Sequence, residues 1–277
     1  MASNFHLPPS GFGPGSQPTD EDLGYMPLPS GMRTYSPSIP ETTDADTQAM
    51  ATTLDTLDQL ARACAACAAG GEGASLQLNG MAPEARRTLA ETLGQGEVSM
   101  KIRGLPAVAV QESVFAGVWQ VLGTGVDRIE IGPVPARALA AFDPARPAEG
   151  PEAPRAPGVV NAPALLAELL DKSARRLPGH EPHVINLTLL PHTEQDLAWL
   201  DAALGEGAVT ILSRGYGNCR IAATATPHVW RVQFFNSMDT LILDSFEVTE
   251  MPEVAKAAPE DLADSAARIR EVMEAIR

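Results

Sequence analysis

Cys64-Ala65-Ala66-Cys67 has the spacing of a dithiol redox site and of half a four-thiolate metal site. The unit lies near the end of an alanine-rich helical stretch, without the preceding strand that a thioredoxin-like site requires, and Cys219 is the one further thiol in the chain. Two small, buried or half-buried side chains are the simpler reading. The alternative is a redox or metal-handling factor working through Cys64, Cys67 and Cys219. His180 and His183 flank Glu181-Pro182, and His192 lies across an expected strand, but no His-Glu-x-x-His helix is present, so these read as surface histidines.

Arg214-Gly215-Tyr216-Gly217-Asn218-Cys219-Arg220 contains a Gly-x-Gly unit. It lacks the third glycine of a dinucleotide fingerprint, and a strand rather than a helix should follow it, so no helix N-terminus is available for a phosphate. The segment reads as a hairpin tip carrying Arg, Tyr and Asn, residue types that dominate protein interfaces and paratopes. Arg214, Tyr216, Asn218 and Arg220 are therefore the expected partner-binding residues. There is no Gly-x-Ser-x-Gly elbow, phosphate-binding loop, kinase set or zinc-protease motif. No catalytic, cofactor or metal residues are expected, and the chain is not expected to be an enzyme.

The elements that position these residues come in two sets. Shifting the chain by 111 residues aligns Leu76–Val121 with Leu187–Val232 without a gap, with twelve identities in forty-six columns where chance gives about three. Among the identities are Leu89/Leu200, Gly94/Gly205, Gly96/Gly207, Arg103/Arg214 and Trp119/Trp230. Helical periodicity in Met50, Leu54, Leu57 and Leu60, and again in Leu165, Leu166, Leu169 and Leu170, opens each copy. A short strand follows, over 76–78 or 184–189, and then a second helix, near 82–94 or 193–204, ending at the aligned glycine. The period then changes to two, predicting strands over 98–102, 107–111, 114–122 and 128–131, mirrored at 209–213, 219–224, 229–235 and 240–246. The expected fold is α+β, a tandem duplication of a helix-strand-helix-antiparallel meander unit with a carboxyl-terminal helix over 259–277.

Residues 48–142 and 163–277 hold the two copies, and 143–162 form a proline-rich linker. Residues 1–47 contain eight prolines, five glycines, six acidic residues and one arginine, with no helical or strand period, and read as a flexible arm. Its one apolar island is Tyr25-Met26-Pro27-Leu28-Pro29-Ser30-Gly31-Met32, which is able to dock in extended form on another surface. Over the whole 277 residues, 35 acidic and 20 basic side chains give a formal charge of −15. Such a charge disfavours nucleic acid and anionic membranes as partners. No basic segment precedes Arg33 and no apolar run is long enough to span a bilayer, and three cysteines make no disulfide framework. The expected compartment is the cytoplasm.

The second copy also carries long recognisable words: Ile211-Leu-Ser-Arg-Gly-Tyr-Gly-Asn-Cys-Arg220, Val229-Trp-Arg-Val-Gln-Phe-Phe-Asn236, Leu241-Ile-Leu-Asp244 and Glu250-Met-Pro-Glu-Val254. With Pro27-Leu-Pro-Ser-Gly-Met32 and Arg33-Thr-Tyr-Ser-Pro37, they resemble the HupH/HyaF family of hydrogenase expression and formation proteins over most of the chain. The resemblance implies an accessory protein, an assembly chaperone for a membrane-bound uptake nickel–iron hydrogenase. It would bind the immature iron–sulfur small subunit, whose precursor bears a twin-arginine signal, in the cytoplasm before export. Other hydrogenase accessory proteins are further candidate partners. The resemblance supplies no catalytic constellation and no cofactor. The acidic surface suits a basic export signal. At the corresponding hairpin of the first copy, Leu105-Pro106 replaces Tyr216-Gly217.

Overall fold

The computed structural model describes residues 47–215 and 217–276. α1 (Thr47–Ala68) is followed by β1 (Ala74–Gln77), α2 (Pro83–Leu93), β2 (Val98–Ile102), β3 (Val108–Glu112), β4 (Val118–Gly123) and β5 (Val126–Ile131). Two short 3-10 helices, Ala136–Ala140 and Gly150–Glu152, lead to a second set in the same order. It comprises α3 (Ala162–Ala174), β6 (His183–Asn186), α4 (Glu194–Leu204), β7 (Val209–Ser213), β8 (Asn218–Ala223), β9 (Val229–Phe235) and β10 (Leu241–Val248). A 3-10 turn, Glu253–Ala255, precedes α5 (Pro259–Ile276).

Two expected strands are shorter than their apolar patterns. The one expected over 184–189 stops at Asn186, whose side-chain oxygen accepts from the Thr188 N–H and turns the chain into a 3-10 turn, Leu187–Leu189. The one expected over 114–122 begins only at Val118, because the Ser113 hydroxyl accepts from the Phe115 N–H at 3.1 Å. That turn carries the Phe115 ring into the core.

Among the described residues the ten strands make one antiparallel sheet, ordered β1-β5-β4-β3-β2-β7-β8-β9-β10-β6. β2 and β7 join its halves. Met100 pairs with Ile211, which lies 111 residues further on, while Val98 pairs with Ser213 and Ile102 with Val209. The register is centred on the one like-to-like pair, Met100 with Ile211, and the pairs on either side of it are exchanged as across a local two-fold axis. Outside the pair the halves continue alike: Trp119 in β4 faces Glu130 in β5, and Trp230 in β9 faces Glu247 in β10. Both indoles are buried, and their N–H groups donate to Gly132 O at 2.9 Å and Thr249 O at 3.1 Å.

The glycine corners are conformationally required. A Cβ on Gly96 would lie 2.2 Å from Ser113 O, and one on Gly207 would lie 2.5 Å from Thr224 O. Each corner therefore lets the strand after it start flush against the chain beyond its own hairpin.

Strand alternation divides the core between the two faces of the sheet. On one face Met100, Val110, Trp119, Ile211, Ile221 and Trp230 pack with Ala138, Ala141, Met251 and Ala255 from the segments that follow β5 and β10. On the other face, Val118, Ile129 and Ile131 lie under α1, α2 and α5, and Val229, Phe246 and Val248 lie under α3 and α4. The helical period of Leu262, Ala266, Ile269, Val272 and Ile276 predicts the apolar stripe of α5; the first four, with Met273, are buried in one core with Leu57, Leu60, Ala61 and Cys64 of α1, and Ile276 is partly buried against it. The carboxyl-terminal helix is thus received by the amino-terminal half of the sheet.

The chain after β5 makes the reverse crossing. Arg146 N and O bond with Glu206, the Trp199 indole N–H donates to Ala153 O at 2.9 Å, and the Arg155 guanidinium stacks 5.5 Å from the Trp199 ring centre. The proline-rich segment is therefore bound along α4. Its far end is held by Asp196, whose Oδ1 accepts from the N–H groups of Val160, Asn161 and Ala162 at 2.7–3.0 Å. Its Oδ2 accepts from Thr193 N in a capping box, so one carboxylate starts both α3 and α4. Burial opposes ionisation of Asp196, but these four donors prevail and hold its pKa down to about 2.

Trp119→Phe and Trp230→Phe each leave a carbonyl without its donor, which costs about 1–3 kcal/mol. Both variants should lower the urea midpoint, and by similar amounts. Asp196→Asn should destabilise the protein at neutral pH. Because the folded pKa lies below the ordinary value, the wild-type contribution is present above about pH 4 and lost as pH falls toward 2. Acid titrations of stability should therefore converge for the two proteins in that window.

Candidate functional site

The expected site residues lie at the β7–β8 hairpin, at the end of the sheet where β2 begins. Arg214 N donates to Glu97 O at 3.1 Å, fixing the hairpin against the residue before β2. Asn218 and Arg220 alternate on β8 with buried Cys219, so they emerge together on the helix-bearing face. Asn218 Nδ2 donates to Asp239 Oδ1 at 3.4 Å, linking this hairpin to the β9–β10 turn. Arg214, Asn218 and Arg220 line a cavity of about 350 Å³ with Leu212, Ser213, Cys219, Phe235 and Asp239. The structure thus brings three of the four expected residues together. Tyr216 lies outside the described residues.

Leu212, Phe235 and Asp239 complete this cavity and were not singled out by sequence. Leu212 carried a usable signal: it alternates with buried Ile211 and so is an apolar residue on the solvent side of its strand, 42% exposed.

Comparison with the other half explains the free charge at this end. Arg103, the counterpart of Arg214, forms an ion pair with Glu206 at 2.6 Å. At the same 111-residue offset, Gln95 stands where Glu206 would be. The side chains of Arg214 and Arg220 have no ion-pair partner among the described residues. Arg220 corresponds to Ala109 and Asn218 to Ala107, so the other hairpin presents none of these groups. Two unpaired guanidiniums beside Leu212 and Phe235 make a surface for binding carboxylates and apolar side chains.

The thiols lie apart. Cys64 and Cys67 belong to the core between α1 and α5, whereas Cys219 belongs to the core on the opposite face of the sheet. Burial is the main cause pushing both Cys64 and Cys219 up to about 12, and it raises Cys67 as well. The three cannot converge on one ion, and their thiolates are disfavoured. Among the described residues no group of three or more His, Cys, Asp or Glu is arranged to hold a metal. His183 bonds Glu168 at 2.8 Å and His192 bonds Leu190 O at 2.9 Å, both at exposed positions.

A larger cavity, about 820 Å³, opens beside the edge strand β1, between Ser75, Gln77, Arg128 and Glu130 and the segment carrying Glu253 and Lys256. The charges at its floor are satisfied: Glu130 accepts from Arg128 Nε at 2.7 Å and from Ala136 N at 2.7 Å.

The model of the HupH hydrogenase expression protein, C-terminal conserved region, matches residues 49–146 and 159–276. The chain belongs to this family of hydrogenase expression/formation proteins. It is 67% identical to the hydrogenase expression/formation protein HupH of Rhodobacter capsulatus over the full length of both chains. Identity is 45% to HoxQ of Cupriavidus necator, covering 98% of each chain. It is 34% to the hydrogenase-1 operon protein HyaF of Escherichia coli, covering 98% of this chain and 95% of that one. The family match takes in both halves of the sheet and the β7–β8 hairpin. No helix among the described residues is long and apolar enough to cross a membrane.

One titratable group near the hairpin end is strongly perturbed. Glu112, at the end of β3, is buried, and burial pushes its pKa up to about 7. Hydrogen bonds from Gly117 N and Val98 N offset part of that rise, and the charges of Glu97 and Asp261 add to it. Between the ordinary value of 4.5 and about 7, the folded protein holds a proton that the unfolded chain has released, so stability falls as pH rises through this window. The fall amounts to about 3 kcal/mol. Glu112→Gln should flatten it, leaving the variant more stable than wild type above pH 7 in urea titrations.

Proposed function

We propose that this protein is a non-catalytic accessory factor of nickel–iron hydrogenase maturation that binds the immature iron–sulfur small subunit in the cytoplasm before export. Family membership supports the maturation role. The observation that carries a binding role is the β7–β8 end of the sheet. There, Arg214 and Arg220, which form no ion pair among the described residues, stand beside a cavity walled by Leu212, Phe235 and Asp239, in a chain of net charge −15. The contact comprises Arg214, Tyr216, Asn218 and Arg220. A basic export signal would be drawn to the acidic remainder of the surface rather than to these two arginines.

The same reading includes a tandem duplication, with units at 48–142 and 163–277 joined through 143–162. The like-to-like pairing of β2 with β7 supports it, since an isologous contact is how two separate copies would associate. The two units diverge at their hairpins, which is how a repeated scaffold acquires a single binding end.

The test is capture of the hydrogenase small-subunit precursor by the full chain, co-expressed with the hydrogenase operon. Truncating an interface arginine or tyrosine anchor costs about 2 kcal/mol, roughly thirtyfold in affinity. Arg214→Ala and Tyr216→Ala should each weaken capture by about that factor with little change in melting temperature. Leu105→Ala, at the other hairpin, should leave it unchanged. Undiminished capture by both tip variants would show that the tip is not the contact. Loss of active hydrogenase on replacing Cys64 and Cys67 with alanine, in a protein that still folds, would favour the redox alternative.

A further inference from the structure

The helices on the helix-bearing face cover only the outer strands. α1, α2 and α5 stand over β4 and β5, and α3 and α4 stand over β9, β10 and β6. On that face the four central strands contribute no residue to either helical core. The strip is continuous in register: Lys101 pairs with Ala109 on one side and with Thr210 on the other, and Leu212 pairs with Arg220. Lys101, Ala109, Leu212 and Arg220 are exposed.

This strip has a charge opposite to that of the protein. None of the side chains that β2, β3, β7 and β8 present on this face is acidic, although the chain has 35 acidic residues against 20 basic. Acids on the flanking strands are neutralised, Asp127 by Arg86 at 2.9 Å and Asp244 by Arg231 at 2.6 Å. At the rims Glu206 is paired with Arg103, while Glu97, with its carboxylate against Gly215, and Asp239, which accepts from Asn218, form no ion pair among the described residues. Lys101 and Arg220 have no ion-pair partner among the described residues.

We propose that this bare strip is a docking channel for an acidic, partly apolar helical segment of a protein partner. The proposal rests on the binding role argued above and deepens it: the contact runs from the hairpin across the β2–β7 junction to Lys101, and its occupant is acidic. Charge complementarity selects the occupant, with Lys101 and Arg220 for its carboxylates and Leu212 and half-exposed Phe235 for its apolar side chains. The dimensions agree. Four strands spaced about 4.8 Å apart leave about 14 Å between the outer two, and a helix with its side chains is about 10–12 Å across. A nucleic acid would meet the same cations but would be repelled by the rest of the surface.

The experiment is fluorescence anisotropy with the full chain and three labelled probes at low salt. They are a fourteen-residue Glu-rich peptide with leucines at every third or fourth position, the same peptide with Lys for Glu, and a fourteen-nucleotide single-stranded DNA. The acidic peptide should bind, its affinity should fall steeply with added salt, and the other two probes should not bind. The Lys101→Glu/Arg220→Glu double variant should bind the acidic peptide at least tenfold more weakly. Leu212→Ser should weaken it as well, and Lys256→Glu, on the opposite face, should not. Melting temperatures confirm that each variant is folded. Failure of the acidic peptide to bind, or equal binding by the double variant, overturns the proposal, and DNA binding through Lys101 and Arg220 reassigns the strip to another class of partner. Precursor capture by the wild-type chain reports separately on the binding role itself, so either reading is able to fail alone.

Discussion

The backbone pairing of Val98–Ile102 with Val209–Ser213 places every other part of the molecule. Each of these strands would otherwise end a five-stranded sheet and expose a row of unpaired N–H and C=O groups, a template for aggregation. Pairing them to each other removes both edges at once. It also fixes the register, because a slip of one residue would turn Met100 and Ile211 out of the core and bring Lys101 and Leu212 into it. The two tryptophans, the glycine corners and the crossing segments all take their positions from this central pair.

The same pairing explains why the candidate site lies where it does. An antiparallel junction sends the two corresponding hairpins to opposite ends of the sheet, with Arg103 beside Ala208 and Arg214 beside Glu97. Each hairpin is therefore adjacent to the glycine corner of the other half. Small differences at that contact, Glu206 at one end and Gln95 at the other, decide whether an arginine is occupied or left free. A near-symmetric scaffold thus presents one end whose arginine is paired with Glu206 and one whose arginine has no ion-pair partner among the described residues.

Much of the framework was legible because it obeys local rules. Period-two alternation located β2, β7 and β9 to the residue, and the aligned Gly94 and Gly205 ended α2 and α4 because each caps its helix at positive φ. Where the reading failed, a side chain had replaced the ladder, as with Ser113 before β4 and Asn186 after β6. Of the candidate site, Arg214, Asn218 and Arg220 were legible as a cluster at one tip. Phe235 and Asp239 were not, because they come from neighbouring stretches that meet β8 only once the strands are in register, and Leu212 was marked only by its alternation with buried Ile211. The bare strip was hidden for the same reason: the alternation marks which residues face away from one core, but not that no helix arrives to cover them.

The reciprocal crossing of the two terminal segments has a consequence for how the chain is made. α1 emerges first among the described elements, yet its apolar stripe is matched by α5, which follows all ten strands. During synthesis α2, β4 and β5 reach this core early, but the part of the stripe that α5 covers waits until the entire sheet has been translated. The segment after β5 likewise waits for α4. Neither half is closed when its own strands are complete, so assembly is completed only by the last helix.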